Sequence, residues 1–218
     1  MRTKFVAAAM LAAMGLVAAQ ASAQEKTVVT SPSKKVYAGV QAGMVVPEDV
    51  NFSRTATSAN SGKIEFEDGY SVGGFAGYKF NDYLRGEASV TYAKFDYDKV
   101  TVNGVGTIDV DGDVKSTIGM VNGIVSPLGK STISPLLGAG IGMAHTKDKA
   151  SANAGGIAVN VDRNTNDLAL SGLVGVEAEV SNSVSLGVRY NYFWVDSSTA
   201  GFDDLTAHNF SATAAIKF

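Results

Sequence analysis

Cysteine is absent from all 218 residues. That absence removes disulfides, zinc–thiolate sites, thiol nucleophiles and a lipid anchor on an N-terminal cysteine together. Basic charge is not in excess: 18 Lys and Arg stand against 21 Asp and Glu, a formal net charge of −3. A balance this mild, and of this sign, excludes nucleic acid as a partner. There are only two histidines and four prolines. Past the N-terminal stretch no run reaches the roughly 18 uncharged apolar residues of a helical membrane span. The 24 glycines form no phosphate loop and no dinucleotide fingerprint, so no cofactor and no resident metal are expected. The length suits one domain. A mean hydropathy of +0.09 is that of a soluble protein, or of a membrane barrel whose apolar and polar residues alternate.

What is present begins with a leader. Arg2 and Lys4 form a positive segment, an apolar run from Phe5 to Ala19 follows, and Ala21-Ser22-Ala23 has the A-x-A form of a processing site. This predicts a secretory signal peptide over residues 1–23, cleaved between Ala23 and Gln24. Loss of Arg2 and Lys4 leaves 16 basic against 21 acidic residues, a mature net charge of about −5. Residues 24–34 are expected as a short periplasmic segment and residues 35–218 as the folded domain.

The remainder reads as strands. Eight segments alternate between apolar and small or polar residues: about 36–45, 70–80, 84–92, 114–125, 132–144, 168–180, 184–195 and 207–218. The third is the clearest, with Leu84, Gly86, Ala88, Val90 and Tyr92 against Arg85, Glu87, Ser89 and Thr91. In the fourth, Asn122 shares a face with Ile118, Met120 and Ile124, which marks a bulge or a misread face. Links 81–83, 127–130 and 181–183 are short. The other four, near 47–69, 95–113, 145–167 and 196–206, are long and polar. Short turns on one side and long loops on the other are the periplasmic and extracellular sides of an outer-membrane barrel. Three-residue turns pair Phe80 with Leu84 and Val180 with Val184, apolar with apolar, as antiparallel neighbours require. Aromatics cap the apolar face at both ends: Tyr78, Phe80 and Phe218 near the short turns, Tyr92, Tyr190, Tyr192 and Trp194 near the long loops. That is a pair of interfacial girdles. The opposite face is rich in glycine, which suits a narrow lumen better than a solvated surface. The expected fold class is all-β, an eight-stranded antiparallel transmembrane β-barrel.

The stretches VYAGVQAG, YSVGGFAGYKFNDYLRGEASVTY, MVNGIV, SPLLGAGIGMAH, VGVEAEVSNSVSLGVRYNYFW and HNFSATAAIKF resemble the small OmpA-like outer-membrane β-barrels, of the type of alphaproteobacterial surface antigens. The likeness covers the strands and few of the loops. It implies the outer membrane of a Gram-negative bacterium, contact with outer-membrane lipid and lipopolysaccharide, and Phe218 as the signal read by the outer-membrane assembly machinery. No residues beyond the last strand correspond to the peptidoglycan-binding domain of full-length OmpA proteins, so wall anchoring by that route is not expected.

The expected site is the lumen. Lys79, Arg85, Glu87, Glu177, Glu179, Arg189 and Lys217 share the polar face. The interior of an eight-stranded barrel is filled by side chains, so these charges either plug it as an ion-pair network or line a narrow ion path that opens when pairs break. Unpaired buried charge is costly, so mutual pairing is expected in both cases. The register set by the 181–183 turn places Glu177 opposite Gly187 and diagonal to Arg189. His208 and Ser211 lie three apart, on opposite faces, which is wrong for a base and its nucleophile. Asp109-Val110-Asp111-Gly112-Asp113 begins like a calcium loop, but Met120 stands where the closing carboxylate belongs; an Asp-Gly turn is expected instead. The functional expectation is a non-enzymatic, monomeric envelope protein whose extracellular loops are available for adhesion, host contact or another extracellular ligand. The alternative is a small porin or ion channel.

Overall fold

A computed structural model of the chain describes residues 34–53, 61–102, 106–109, 111–129, 131–154, 157–196 and 204–218. The leader, the Ala23–Gln24 cleavage position and the tips of the long links lie outside the described residues. Eleven strands follow in chain order: β1 Val36–Pro47, β2 Val50–Ser53, β3 Ser61–Phe66, β4 Gly69–Lys79, β5 Leu84–Val102, β6 Gly106–Asp109, β7 Asp111–Val125, β8 Ile133–Ala154, β9 Ile157–Glu179, β10 Val184–Val195 and β11 Leu205–Lys217. All pairings are antiparallel. Eight strands close a ring, β1-β4-β5-β7-β8-β9-β10-β11 and back to β1. Closure removes every edge, as a sheet immersed in hydrocarbon requires.

The expected hairpins are present. Phe80 N donates to Leu84 O at 3.0 Å and Val180 N to Val184 O at 3.1 Å. A side-chain oxygen holds each turn: Asn81 Oδ1 accepts from the amides of Tyr83 and Leu84, and Ser181 Oγ from those of Ser183 and Val184. Gly129, at φ 59°, closes the β7–β8 connection in the left-handed region that glycine adopts without cost.

Alternation then sets the two faces. Val40, Val72, Val90, Val121, Ile141, Met143, Val174 and Leu186 point outward and are exposed, with Tyr78, Phe80 and Phe218 exposed at the short-turn end. A continuous apolar belt of this kind is stable against hydrocarbon rather than water. Inside lie Gln41, Ser71, Arg85, Glu87, Thr91, Asn191, Asn209 and Ser211, all buried.

Three expectations change. The fourth strand has no bulge. Its register runs unbroken from Leu84↔Val125 to Asp96↔Asp113, and Ile118, Met120, Asn122 and Ile124 all face inward. The face was misread because β7 is apolar on both sides. Ile118 and Met120 pack with Phe193 and Val195, and Ile124 packs with Leu136 and Leu173.

Two of the long links are strand rather than loop over most of their length. β5 extends ten residues beyond Tyr92, and β8 and β9 pair continuously from Ile133↔Ala178 to Ala154↔Ile157. Beyond the membrane neither face has to be apolar, so the alternation that reveals a spanning strand fades there.

The expected Asp-Gly turn is absent. Asp111 and Gly112 belong to β7 and pair with Ser151 and Ala150. The return of the chain instead places β6 beside β5, Lys99↔Asp109 through Val102↔Gly106. On its other edge the same part of β5 is joined by β3, which in turn pairs with β2.

Candidate functional site: a layered seal in the lumen

β5 presents Arg85 and Glu87 inward. From β9 comes Glu177, and from β10 Arg189. All four are under 9% exposed. Arg189 Nη1 and Nη2 donate to Glu87 Oε1 and Oε2 at 2.7 and 3.0 Å, a bidentate pair, and Tyr37 OH donates to Glu87 Oε2 at 3.0 Å. Arg85 Nη1 donates to Glu177 Oε2 at 3.0 Å. β5 and β10 are opposite staves of the ring, so the Glu87–Arg189 bond spans the lumen. The register of Glu177 opposite Gly187 is as expected. The guanidinium it pairs with is not that of Arg189 beside it but that of Arg85 across the barrel. A two-strand register cannot foresee this, because it contains no ring closure. In an eight-stranded ring the opposite wall is within reach of a long side chain.

Two aromatic rings pack against the guanidinium groups. The Arg189 guanidinium lies 4.2 Å from the Phe75 ring centroid and that of Arg85 5.3 Å from the Tyr37 centroid, both within cation–π range. Tyr37 and Phe75 meet edge to face at 6.3 Å. Toward the short turns, Lys217 bonds Glu179 and lies 3.9 Å from Glu177, and Lys79 lies 3.9 Å from Glu179. Ion pairs thus link Lys79, Glu179, Lys217, Glu177 and Arg85 into one chain, and Glu87–Arg189 forms a second group that meets the first only through Tyr37, which donates to Glu87 and lies against Arg85.

Two further layers lie outward of these charges. A neutral polar layer joins Gln41 to Thr91, Ser71 to Asn209, and Asn122 to Ser89 and Ser171. An apolar layer then follows toward the outer end: Val45, Ala93, Phe95, Val114 and Ala207 with Phe66 and Tyr97, beside Ile118, Met120, Phe193 and Val195. Phe66 reaches this layer from β3, its ring 5.5 Å from that of Phe95. Periodicity could not single out these residues, since an inward apolar side chain looks like a lipid-facing one.

Both histidines sit on the outward face. His145 Nδ1 lies 2.8 Å from Asn166 Oδ1. His208 is more elaborate: its Nδ1 is 2.8 Å from Tyr190 OH and its Nε2 is 2.9 Å from Glu48 Oε1, while Thr206 Oγ1 donates to Glu48 Oε2. Ser211 is buried on the opposite face, so it stands apart from His208 as expected. Glu48, just past β1, was missed by sequence reading, because its partners are about 160 residues away and meet it only when β11 closes onto β1.

The hydrogen bond from Thr206, then that from His208, holds the Glu48 carboxyl below its ordinary value. A lowered carboxylate pKa stabilises the folded state at pH above the ordinary value, and that contribution is lost as pH falls through the lowered one. The outer end of the β1–β11 pair, where Glu48 N donates to Thr206 O at 2.9 Å, should therefore loosen only below the usual glutamate range. Hydrogen exchange at Glu48, corrected for the intrinsic rate, reads this. Identical acid-side loss of protection in Glu48→Gln would contradict it.

Comparison with solved structures finds the same architecture in Neisserial surface protein A (23% identity over 84% of this chain and 97% of that one, TM-score 0.52). It is also found in OprG of Pseudomonas aeruginosa (16% identity, 85% and 97%, TM-score 0.51) and in the outer membrane protease OmpT of Escherichia coli (7% identity, 88% and 99%, TM-score 0.55). These identities establish the fold alone, and the fold carries a protease as well as other proteins. No curated protein matches the sequence. The family model of the outer membrane protein β-barrel domain matches residues 9–218. A closed ring of strands with an apolar exterior and an ion-paired interior thus has a sequence-level counterpart across nearly its whole length, and the chain belongs to the outer membrane protein β-barrel family of the Gram-negative outer membrane.

Proposed function

We propose that this is a non-enzymatic surface protein of the small OmpA-like type, a sealed monomeric barrel that displays its outer hairpins for adhesion or contact with an extracellular ligand. The observation that carries the reading is the pair of ion bridges across the lumen, Arg85–Glu177 and Glu87–Arg189. Both bridges cross the lumen and apolar side chains pack outward of them, which supports a sealed interior. The extended β8–β9 hairpin and the β2–β3 and β5–β6 additions are then the parts that meet the medium. The leader to Ala23 would deliver the chain, with Gln24 as the mature N-terminus, and Phe218 at the end of β11 would present it to the assembly machinery.

Two measurements test this. Purified, refolded protein in a planar bilayer should give no reproducible single-channel steps; regular steps would establish the alternative, a small ion channel gated by the same charges. Cells displaying the protein should attach to a target surface better than cells displaying a form with residues 149–162 replaced by a short turn. Equal attachment would remove the adhesive role.

A further inference from the structure

The outward face of β5, β7 and β8 carries a feature that the lumen and the hairpin tips do not explain. Going outward along these strands, the apolar belt ends at Tyr92, Thr117 and His145. The next outward residue is lysine on all three: Lys94, Lys115 and Lys147. They are in direct register, Lys94↔Lys115 and Lys115↔Lys147. Like charges directly opposite on adjacent strands repel, so the row is unfavourable unless something anionic lies against it. The chain offers little. Lys115 reaches Asp113 at 2.6 Å and Lys94 reaches Asp96 at 3.7 Å, both acids one rank further out, and Lys147 has no ion pair among the described residues. That outer rank is mixed in sign, Asp96, Asp113 and Lys149 in register; the rank nearest the hydrocarbon is lysine alone. The β10–β11–β1 part of the ring differs: its outermost outward rank is Trp194, Thr206 and Glu48, in register and with no lysine or arginine among them.

The geometry points to a binding site for the phosphorylated headgroup of lipopolysaccharide on the β5–β7–β8 face. Lysine stems lie along apolar surface while their ammonium groups reach the headgroup layer, and this layer of the outer leaflet is where the lipid's phosphates sit. Three adjacent strands place the first and third lysines about 10 Å apart, a span that suits more than one phosphate on a single headgroup. The exposed Val90, Val121, Ile141 and Met143 beneath would lie along its acyl chains. Tyr70, exposed and opposite Lys94 on β4, flanks the row with a ring suited to the interface. The site is independent of any role of the hairpin tips, and failure of one leaves the other standing.

The test uses the full chain refolded in detergent, probed with deep-rough lipopolysaccharide, with the same lipid after phosphatase treatment, with phosphatidylglycerol vesicles and with inorganic phosphate. Each lysine near an anionic surface contributes about a factor of five, so the triple variant Lys94→Gln, Lys115→Gln, Lys147→Gln should bind the phosphorylated lipid about a hundredfold more weakly. Lys63→Gln should bind as the parent does, and Lys115→Arg should retain binding. Amine acetylation of the unmodified protein, read by mass spectrometry, should show Lys94, Lys115 and Lys147 protected by lipopolysaccharide and Lys63 unprotected. This second arm does not depend on the variants folding. Equal binding after phosphate removal, undiminished binding by the triple variant, or unchanged acetylation would each overturn the site. Equal affinity for phosphatidylglycerol or for inorganic phosphate would overturn its assignment to the glycolipid.

Discussion

Glu87→Ala is expected to lower the unfolding free energy by about 3–5 kcal/mol, the range for removing one member of a buried ion pair. Glu87 accepts both Arg189 nitrogens and the Tyr37 hydroxyl. Alanine would leave Arg189, 3% exposed, over the Phe75 ring without its carboxylate partner. The loss therefore reflects the charge left behind more than the bond removed. Glu87→Gln keeps an acceptor while dropping the charge and should fall between the two. Urea unfolding from lipid bilayers measures the difference, and the temperature at which heat-modifiable electrophoretic migration is lost gives the same ranking. A change below about 1 kcal/mol, the scale of an exposed pair, would show that Glu87 and Arg189 are solvated in the folded barrel.

The second large effect is steric. A β-carbon added at Gly142 would lie 1.9 Å from Gly119 O and 2.7 Å from Met120 Sδ on the neighbouring strand. The oxygen is main chain in a closed ring and cannot swing aside. Gly142→Ala should cost about 1–3 kcal/mol by overpacking and lower the yield of folded, heat-modifiable protein. Gly123 is the matched control. It lies on β7, faces outward, and has nothing within 4 Å of a built β-carbon, so Gly123→Ala should change stability by no more than about 0.5 kcal/mol. Equal behaviour of the two variants would mean that β7 and β8 stand further apart at Gly142 than the ladder indicates.

The eight spanning strands were legible because bilayer and lumen impose opposite demands on successive residues. Strand β10, Val184–Val195, appears with the limits that alternation alone suggests. Legibility ended where one of those demands lapsed. On β7 the lumen itself is apolar at Ile118, Met120 and Ile124, so the two faces read alike. On the outer parts of β5, β8 and β9 no lipid is present, so polar strand reads as loop. Among the lumen residues, alternation put the seven charges on one face, and the structure shows them in two ion-paired groups. Which carboxylate meets which guanidinium was not readable, since Glu87 and Arg189 are 102 residues apart and meet only through the curvature of the closed ring. The Glu48–His208–Tyr190 chain was hidden for the same reason, and the register of Lys94, Lys115 and Lys147 needs all three strands aligned before it becomes a row.

The β8–β9 hairpin has a mechanical consequence. Its 22 consecutive registered pairs run from the short-turn end of the barrel out past the apolar belt. A load pulling the tip outward acts along both strands, and their hydrogen bonds to β7 and β10 lie across the direction of pull. Those bonds are strained in parallel as a shear, many at once, instead of parting one by one like a zip. A pull on the hairpin is thus distributed around the wall, as the load on a rivet is. The Glu87–Arg189 bridge ties two opposite staves of that wall to each other across the lumen.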